Sequence, residues 1–254
     1  MKGGPSFSRL LEPILEPARL FRAPGAYARH LRHRRLYQQH SAAERLRWRD
    51  EYPQLWDRLP SSPYDPHYFF QDTWAAQRIA EARPKRHVDI GSRVDFVGFL
   101  TALTKVTFVD IRPLAIELEG LTCVEGNILA LPFEDGTIPS ASCLHVAEHI
   151  GLGRYGDELD PQGTQRAARE LARVVAPGGR LLFSLPVGEP RIEFNAHRIH
   201  HPKTIIEMFD DLTLNEFAGV DDDGQFARHR TIDELSNSNY ACGMFDFSKP
   251  VAGT

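Results

Sequence analysis

The sequence predicts an α/β fold with a doubly wound, mostly parallel sheet, an antiparallel hairpin at its end and a helical N-terminal extension. Three observations support this prediction. Short apolar runs alternate with helical segments between residues 86 and 185, which is typical of a parallel sheet covered by helices on both faces. Two strand-like runs follow one another near the C terminus. A basic segment containing prolines precedes the alternating region.

Composition and charge narrow the class of protein. A chain of 254 residues suits one α/β domain with a modest extra segment. The first fifty residues carry eleven basic and four acidic groups, so they are strongly positive, although the whole chain has a net charge of -4. The three cysteines form no CxxC pair and have no matching histidine spacing, so we predict reduced cysteines and no metal site. Because no run approaches the ~20 apolar residues of a membrane span, we expect a cytoplasmic protein.

The boundary between the extension and the domain is predicted near residue 60. The segment LPSSPYDP, residues 59–66, cannot continue a helix and is a linker by composition. We therefore assign residues 1–60 to a basic, helical extension, with a helix from Tyr27 to Trp48, and residues 61–254 to the domain. The extension is most simply a solvated helix packed on the domain. Peripheral contact with a membrane surface or an acidic partner through residues 1–50 is the alternative, and nucleic-acid binding is less favoured.

The periodicity predicts each element of the domain in turn. Aromatic residues near helical spacing in HYFFQDTWAAQRIA indicate its first helix. An amphipathic helix follows from Gln162 to Ala176 and is stopped by the PGG sequence. A further helix begins at Pro202. The predicted parallel strands are His87–Ile90, Val106–Asp110, Leu121–Val124, Ala141–Val146 and Arg180–Leu185, and the final pair is Leu212–Val220 and Ala241–Phe247.

The residues that follow the first two strands indicate a nucleoside site. Ligands of open α/β sheets bind at the carboxyl ends of the strands. Gly91 ends the first strand and permits a tight turn that exposes backbone N–H groups. Asp110 ends the second strand about 20 positions later, the spacing of an acid that accepts hydrogen bonds from both ribose hydroxyls. The alternative is an aspartate that merely ends a strand in a turn.

The next segment, EGNILALPFEDGTI, resembles the GDAxxLPFxDxSFD segment of class I S-adenosylmethionine-dependent methyltransferases. The resemblance continues through HVAEHI and ELARVVAPGGRLLFSLP. It implies a seven-stranded, Rossmann-like methyltransferase sheet with S-adenosylmethionine as cofactor. Asn127 stands where the family has an acid that binds the adenine amino group, and its carbonyl oxygen can accept the same hydrogen bond. The resemblance also implies cofactor-binding roles for a wider set of residues: Asp89, Ser92, Ile111, Ile128 and His145.

From about Asp65 to Lys249 the chain is still more similar to an uncharacterised bacterial branch of that fold, a domain of unknown function. The similar blocks are YDPHYFFQDTWAA, HVDIGS, AEHIGLGRYGDELDP, FNAHRIHHP, VDDDG and ACGMFDFSK. This likeness implies a fold and a cofactor but no substrate. The chain differs from most methyltransferases after the first strand, where Arg93 and Asp95 replace the later glycines of GxGxG. Either this loop takes another route or cofactor binding is weakened.

Polar residues after the fourth and fifth strands are candidates for the reacting end of the site. Methyl transfer to a hydroxyl requires an aligned acceptor and removal of a proton, which histidine does well near neutral pH. We predict His149, or failing it His197, as the base, with Glu148 beside it. For substrate binding we predict Tyr155 and Asp157 in a glycine-rich loop, and Asn195 and Arg198 after the fifth strand. Each of these residues has an ordinary alternative role, which is to fix a loop by hydrogen bonds.

The sequence thus predicts a methyltransferase that modifies oxygen or nitrogen on a small molecule or saccharide. The acidic domain disfavours nucleic acid as the acceptor. A catalytically silent module recruited through the basic extension is one alternative. An NAD-dependent enzyme is another, and the LPF segment and the paired final strands argue against it.

Overall fold

The computed structural model describes residues 17–251, with side chains from residue 21 onward. It divides into two compact units, Met1–Pro63 and Tyr64–Thr254. No helix within residues 17–251 is long and apolar enough to cross a membrane. Residues 1–16 and 252–254 lie outside the described part, and with them the start of the predicted extension.

The first unit contains helix α1 (Pro17–Gln38) and a 3-10 turn (Trp48–Asp50). The predicted helix from Tyr27 to Trp48 is therefore wrong at both ends, because α1 continues through Pro24 and stops at Gln38. The chain then returns along the helix. The Arg34 guanidinium lies 3.9 Å above the Trp48 ring and also pairs with Glu51.

Within its described residues, 64–251, the second unit contains five α-helices, a 3-10 turn (Ala147–His149) and ten strands. The helices are α2 (Pro66–Ala82), α3 (Val94–Leu100), α4 (Gly163–Val174), α5 (Pro202–Met208) and α6 (Ile232–Ser236). The strands are β1 (Arg86–Ile90), β2 (Lys105–Asp110), β3 (Leu121–Glu125), β4 (Ile138–Leu144), β5 (Val175–Val187), β6 (Arg191–Glu193), β7 (His197–Ile199), β8 (Thr213–Val220), β9 (Phe226–Ala227) and β10 (Ala241–Ser248).

Eight strands form one sheet in the order β3-β2-β1-β4-β5-β10-β8-β9. Strands β1 to β5 are mutually parallel, and β10 pairs antiparallel with both β5 and β8. The predicted doubly wound sheet with an antiparallel final pair is confirmed. The two-residue β9 is an eighth strand beyond the seven expected. The chain order reverses between β1 and β4, and such a switch point is where open α/β sheets bind ligands.

Helices cover both faces of the sheet because alternate strand residues point to opposite sides. Leu181 and Phe183 of β5 pack with the α4 side, together with Leu171. Leu182, which lies between them in the sequence, points to the opposite face of the sheet, where it packs in the cluster that contains Trp74 of α2 and residues of α3. This alternation explains why β5 is apolar along most of its length, as expected of a strand buried on both faces.

Helix α2 is anchored at its start and at its centre. Asp65 accepts the His67 backbone N–H at 2.9 Å and so caps the helix. About two to three turns further along, Trp74 Nε1 and Arg78 Nη1 donate to the buried Glu216 carboxylate of β8, at 3.1 and 2.8 Å. The helix is thereby held to the antiparallel end of the sheet.

Several short elements differ from the predicted ones. Strand β5 begins at Val175, directly after α4, so the PGG turn lies inside the strand and not before it. After β5, the antiparallel ribbon β6–β7 stands where a plain loop was expected. The long polar stretch between the final strands contains β9 and α6. The two strands of the ribbon have three residues each, which is too short for a hydrophobic period to show in the sequence.

Candidate functional site

A cavity of about 800 Å³ opens at the carboxyl ends of β1 to β4, beside the switch point. This volume lies within the ~300–1,000 Å³ range of small-molecule sites. Its lining comes from the ends of four strands, the loop after β4 and one side chain of α4: Ile90, Gly91, Val109 to Arg112, Gly126 to Ala130, His145, Val146, His149 to Gly151, Tyr155 to Asp160, and Arg166.

Gly91 and Asp110 face each other in this cavity. Gly91 holds φ at +69°, and a Cβ built on it would lie 3.0 Å from Val146 Cγ1 and 3.8 Å from Asp110 Oδ2. The absent side chain therefore leaves backbone and carboxylate exposed to the same space. Asp110 Oδ1 accepts the Arg112 backbone N–H at 2.7 Å, which orients the carboxylate. Among residues 17–251 no donor reaches Oδ2, so this oxygen is available to a ligand.

Asn127 and its neighbours form the part of the cavity after β3. The Asn127 side-chain oxygen accepts the Leu129 N–H at 2.9 Å, and its backbone oxygen accepts the Ala130 N–H at 2.9 Å. The predicted acceptor oxygen is thus already engaged in a tight turn, and the side-chain NH2 is the freer group. Ile128 and Ile111 both line the cavity, and Ile111 is 43 % exposed. They offer apolar surface to a flat ring.

Asp89 and Ser92 do not line the cavity, so their predicted direct contact with a cofactor is revised. Asp89 Oδ1 accepts the Ser92 N–H at 3.0 Å, and its other oxygen accepts the Ser142 hydroxyl. Ser92 Oγ accepts the Leu144 N–H at 3.1 Å. Both side chains point into the protein and fasten the loop after β1 to β4. Burial raises the pKa of Asp89 to about 7.

The two departures from the glycine pattern point away from the cavity. Arg93 Nη2 lies 3.2 Å from Asp95 Oδ2, and the two side chains are 46 % and 69 % exposed. The Arg93 guanidinium also lies 4.8 Å above the Tyr68 ring. The Asp95 carboxylate is therefore directed to solvent, and it does not oppose an anionic group bound beside Gly91.

A row of buried polar groups follows β4. His145 Nδ1 lies 2.9 Å from Glu148 Oε1, and His149 Nε2 lies 3.6 Å from the same oxygen. Glu148 is 1 % exposed and does not line the cavity. Its predicted catalytic role is therefore revised to one of positioning, because its carboxylate holds two histidines that do line the cavity.

These contacts also shift the pKa values of the row. Burial alone would lower the pKa of His145, but the nearby Cys242 sulfur and the Glu148 carboxylate outweigh it, and the pKa is raised. Burial would likewise raise the pKa of Glu148, but His145 lowers it overall. Charge separation within this pair is thus favoured.

His149 has the geometry expected of a base. Its Nδ1 lies 2.6 Å from the Ala196 carbonyl oxygen and 3.2 Å from Arg154 Nη1. The shorter contact, to an oxygen that can only accept, favours the proton on Nδ1, and Arg154 then donates to the same carbonyl oxygen at 3.1 Å. In the neutral ring Nε2 therefore has the lone pair. The Glu148 carboxylate lies 3.6 Å from Nε2.

His197, the second predicted base, does not line the cavity. Its Nε2 lies 3.3 Å from Glu193 Oε2, and its ring contacts that of Tyr240 with centroids 5.0 Å apart. Burial lowers the pKa of His197. The β6–β7 ribbon, which the sequence did not indicate, turns this side chain away from the cavity.

Of the predicted substrate-binding residues, Tyr155 and Asp157 line the cavity and Asn195 and Arg198 do not. Asp157 Oδ2 accepts the Gly151 N–H at 2.6 Å, and Oδ1 accepts the Tyr155 N–H at 3.2 Å, so this carboxylate shapes the loop. Tyr155 is 40 % exposed and faces the open space.

Asn195 and Arg198 need a corrected assignment. Asn195 lies in the turn of the β6–β7 ribbon and is exposed. Arg198 is 5 % exposed and donates to the backbone oxygens of Ile150 and Asp160, the latter at 2.8 Å. It therefore clamps the loop after β4 from beneath and does not contact a substrate in the cavity.

Sequence reasoning missed two arginines of the site. The Arg112 guanidinium lies 4.9 Å from the Tyr155 ring, which links the loop after β2 to the loop after β4. Arg166 lines the cavity from α4 and pairs with Asp160 at 2.8 Å. Arg112 is two residues beyond Asp110, so its position at a strand end was the available signal. For Arg166 the helical period indicated only the polar face.

Comparisons with known proteins agree with this architecture. A family model described as Caenorhabditis protein of unknown function, DUF268, matches residues 135–234. The bacterial origin expected from the resemblance thus stays a prediction. No curated protein matches the sequence.

Solved structures provide the closer likeness. The chain is similar to the N-methyltransferase NodS from Bradyrhizobium japonicum WM9 in complex with S-adenosyl-L-homocysteine, with 17 % identity, a TM-score of 0.51, and coverage of 77 % of this chain and 92 % of that chain. It is also similar to YcgJ from Bacillus subtilis, with 14 % identity, a TM-score of 0.50, and coverage of 70 % of this chain and 99 % of that chain. A third similar structure is the [4+2]-cyclase SpnF, with 12 % identity, a TM-score of 0.56, and coverage of 78 % of this chain and 87 % of that chain. The fold is that of the class I, Rossmann-like methyltransferases.

Proposed function

We propose that this protein is an S-adenosylmethionine-dependent methyltransferase whose acceptor is a small molecule or saccharide. The observation that supports this most directly is the pair Gly91 and Asp110, which face each other across a cavity at the switch point of the sheet. A hydroxylated sugar placed there meets an Asp110 carboxylate oxygen that has no partner among the described residues, and a strand end without a side chain. Both features suit a nucleoside.

The residues present fit the proposed cofactor. The bare backbone at Gly91 would hold its methionine end, Asp110 its ribose hydroxyls, and the Asn127 amide its adenine, with Ile111 and Ile128 against the ring. When bound, this cofactor supplies a methyl group activated by a sulfonium. The cavity is lined by four carboxylates, Asp110, Asp157, Glu158 and Asp160, and by two arginines, Arg112 and Arg166. This excess of negative charge favours a cationic ligand.

The protein's own part in the chemistry is alignment and removal of a proton. His149 would accept the acceptor's proton at Nε2, with Ala196 and Glu148 holding the ring in one orientation. Tyr155, which lies at the open side of the cavity beside Arg112, would contact the acceptor. The glycine-containing loop from Gly151 to Asp160 lies over the cavity and would exclude water when it closes.

An NAD-dependent enzyme is disfavoured by the sheet. Strand β10 enters antiparallel between β5 and β8, and this feature distinguishes methyltransferase sheets from ordinary dinucleotide folds. The [4+2]-cyclase among the similar structures is a reason to test cofactor binding and methyl transfer separately.

Calorimetric titration with S-adenosylmethionine, and separately with NAD, tests the proposal. We expect S-adenosylmethionine to bind with micromolar affinity and NAD not to bind. Asp110→Ala should weaken binding roughly 10- to 100-fold, the value of hydrogen bonds to a charged group. Asp95→Ala is the matched control and should leave binding unchanged, because that carboxylate faces solvent.

Methyl transfer is then tested with a panel of small amines, alcohols and saccharides by following release of S-adenosylhomocysteine. Binding without transfer to any acceptor would favour the silent module. Failure to bind S-adenosylmethionine would overturn the proposal.

A further inference from the structure

Three side chains with metal-binding atoms meet on the α2 side of the sheet, next to the cavity. His67 comes from the first turn of α2, His145 from the residue after β4, and Cys242 from β10. Their donor atoms all lie within 4.8 Å of one another, and His145 Nε2 is 3.4 Å from Cys242 Sγ. Among residues 17–251 no other three histidine, cysteine or acidic side chains lie close enough together to share an ion in this way.

The distances suit a zinc ion. Zinc binds sulfur at about 2.3 Å and imidazole nitrogen at about 2.0–2.1 Å, so two ligand atoms of a tetrahedral site lie roughly 3.3–3.6 Å apart. The His145–Cys242 separation already has this value. His67 has to move in by roughly 1 Å at most to complete the set. Its ring is half-buried in the first turn of a helix and stacks on the rings of His145 and Tyr240, with centroids 5.8 and 5.1 Å away, so it would shift within this stack to reach the ion.

The surroundings of His145 match those of a metal ligand. The Glu148 carboxylate can only accept, so the 2.9 Å contact places a proton on His145 Nδ1 and directs Nε2 at Cys242 Sγ, 3.4 Å away. A carboxylate behind a histidine in this way orients the ring and increases its basicity in known metal sites. His145 also holds φ at +54°, an uncommon backbone conformation for a residue with a side chain.

We propose that His67, His145 and Cys242 bind one zinc ion, with a fourth position left for water or a ligand. Binding replaces the one proton held between His145 Nε2 and Cys242 Sγ by bonds from both atoms to zinc, and that proton is released to solvent. The ion would join α2, the turn after β4 and β10, and would lie beside the cavity, since His145 also lines it. The inference does not rest on methyl transfer.

Zinc titration of the full chain tests this site. The protein is first treated with a chelator and a thiol reductant, and Zn²⁺ is then added in a calorimeter. We expect one ion per chain and a rise in melting temperature on binding. His67→Ala and Cys242→Ser should each abolish the one-to-one binding. Cys143→Ser is the matched control and should retain it, because Cys143 is also a buried, free cysteine but lies outside the cluster.

Two further measurements separate metal binding from simple packing. Co²⁺ in place of Zn²⁺ should give a sulfur-to-metal charge-transfer absorption that Cys242→Ser removes and Cys143→Ser keeps. Glu148→Gln should weaken Zn²⁺ binding roughly 10- to 100-fold, as expected for a group that orients a ligand. Because His67 is partly exposed, His67→Ala remains informative even if Cys242→Ser does not fold. No stoichiometric binding, or equal binding by the His67→Ala variant, overturns the proposal.

Discussion

Asp110 Oδ2 lies 3.8 Å from the point where a Cβ on Gly91 would sit. The end of β1 and the end of β2 are therefore separated by a space that only a residue without a side chain leaves free. At φ +69° an alanine would also be strained and would press against Val146.

Gly91→Ala should for these reasons weaken S-adenosylmethionine binding at least about 10-fold, since a displacement of the loop costs on the order of 1–2 kcal/mol. Calorimetric titration measures the change. Gly98→Ala is the matched control, because nothing lies within 4 Å of a Cβ at that position. Equal affinity in both variants would mean that the cofactor does not use the Gly91 loop.

The positions of Gly91 and Asp110 could be predicted from the sequence because they depend on local patterns. Gly91 and Asp110 each end an apolar run, and parallel strands bring such ends to one edge of the sheet. The antiparallel end of the sheet also followed, since β8 and β10 were predicted as a consecutive pair of strands. Local patterns were sufficient for these positions.

The direction of the other side chains depends on contacts that no local pattern contains. Arg198 donates to backbone oxygens 48 and 38 positions away, so its sequence neighbours did not show that it holds a loop. Glu148 has a partner only three positions away, but its burial depends on the strands packed around it. Asn195 was misplaced because the β6–β7 ribbon has no periodic signal. His67 and Cys242 are 175 positions apart in the sequence and meet only through the sheet.

His149→Ala should leave cofactor affinity within about twofold of wild type while turnover falls roughly 10²- to 10⁴-fold, the usual contribution of a general base. The readouts are calorimetry and release of S-adenosylhomocysteine with an acceptor from the panel. His201→Ala is the control, because His201 caps α5 and does not line the cavity. Undiminished turnover in His149→Ala would exclude this histidine as the base.

Glu216→Gln should destabilise the protein by about 1.5–3 kcal/mol at neutral pH, because Arg78 loses its buried partner and keeps only the exposed Glu81. Burial alone would raise the pKa of Glu216, but Arg228, Trp74 and Arg78 together lower it to about 2. The ionised carboxylate therefore stabilises the fold above the unfolded pKa of about 4.5, and that stability is lost as the pH falls towards 2.

Urea denaturation at several pH values tests this prediction, and the difference between wild type and Glu216→Gln should shrink below pH ~4. Glu207→Gln provides the comparison. Glu207 is exposed and 3.8 Å from Lys203, so its loss should change stability by less than about 0.5 kcal/mol. A Glu216→Gln variant as stable as Glu207→Gln would show that the ion pair does not anchor α2.

Asp89→Asn should change the pH dependence of stability in the opposite direction. Burial raises the pKa of Asp89 to about 7, above its unfolded value of 3.8. The protonated carboxyl therefore favours the folded state fully below about pH 4, and this stability is lost as the pH rises to about 7. Asparagine has no such titration, so the stability of the variant relative to wild type should rise by on the order of 2–4 kcal/mol between pH 4 and 8.

Denaturation midpoints across that range measure this change in relative stability. Asp95→Asn, at an exposed carboxylate, is the control and should show no such change. A constant difference between Asp89→Asn and wild type would mean that Asp89 is ionised throughout, held by the Ser92 N–H and the Ser142 hydroxyl.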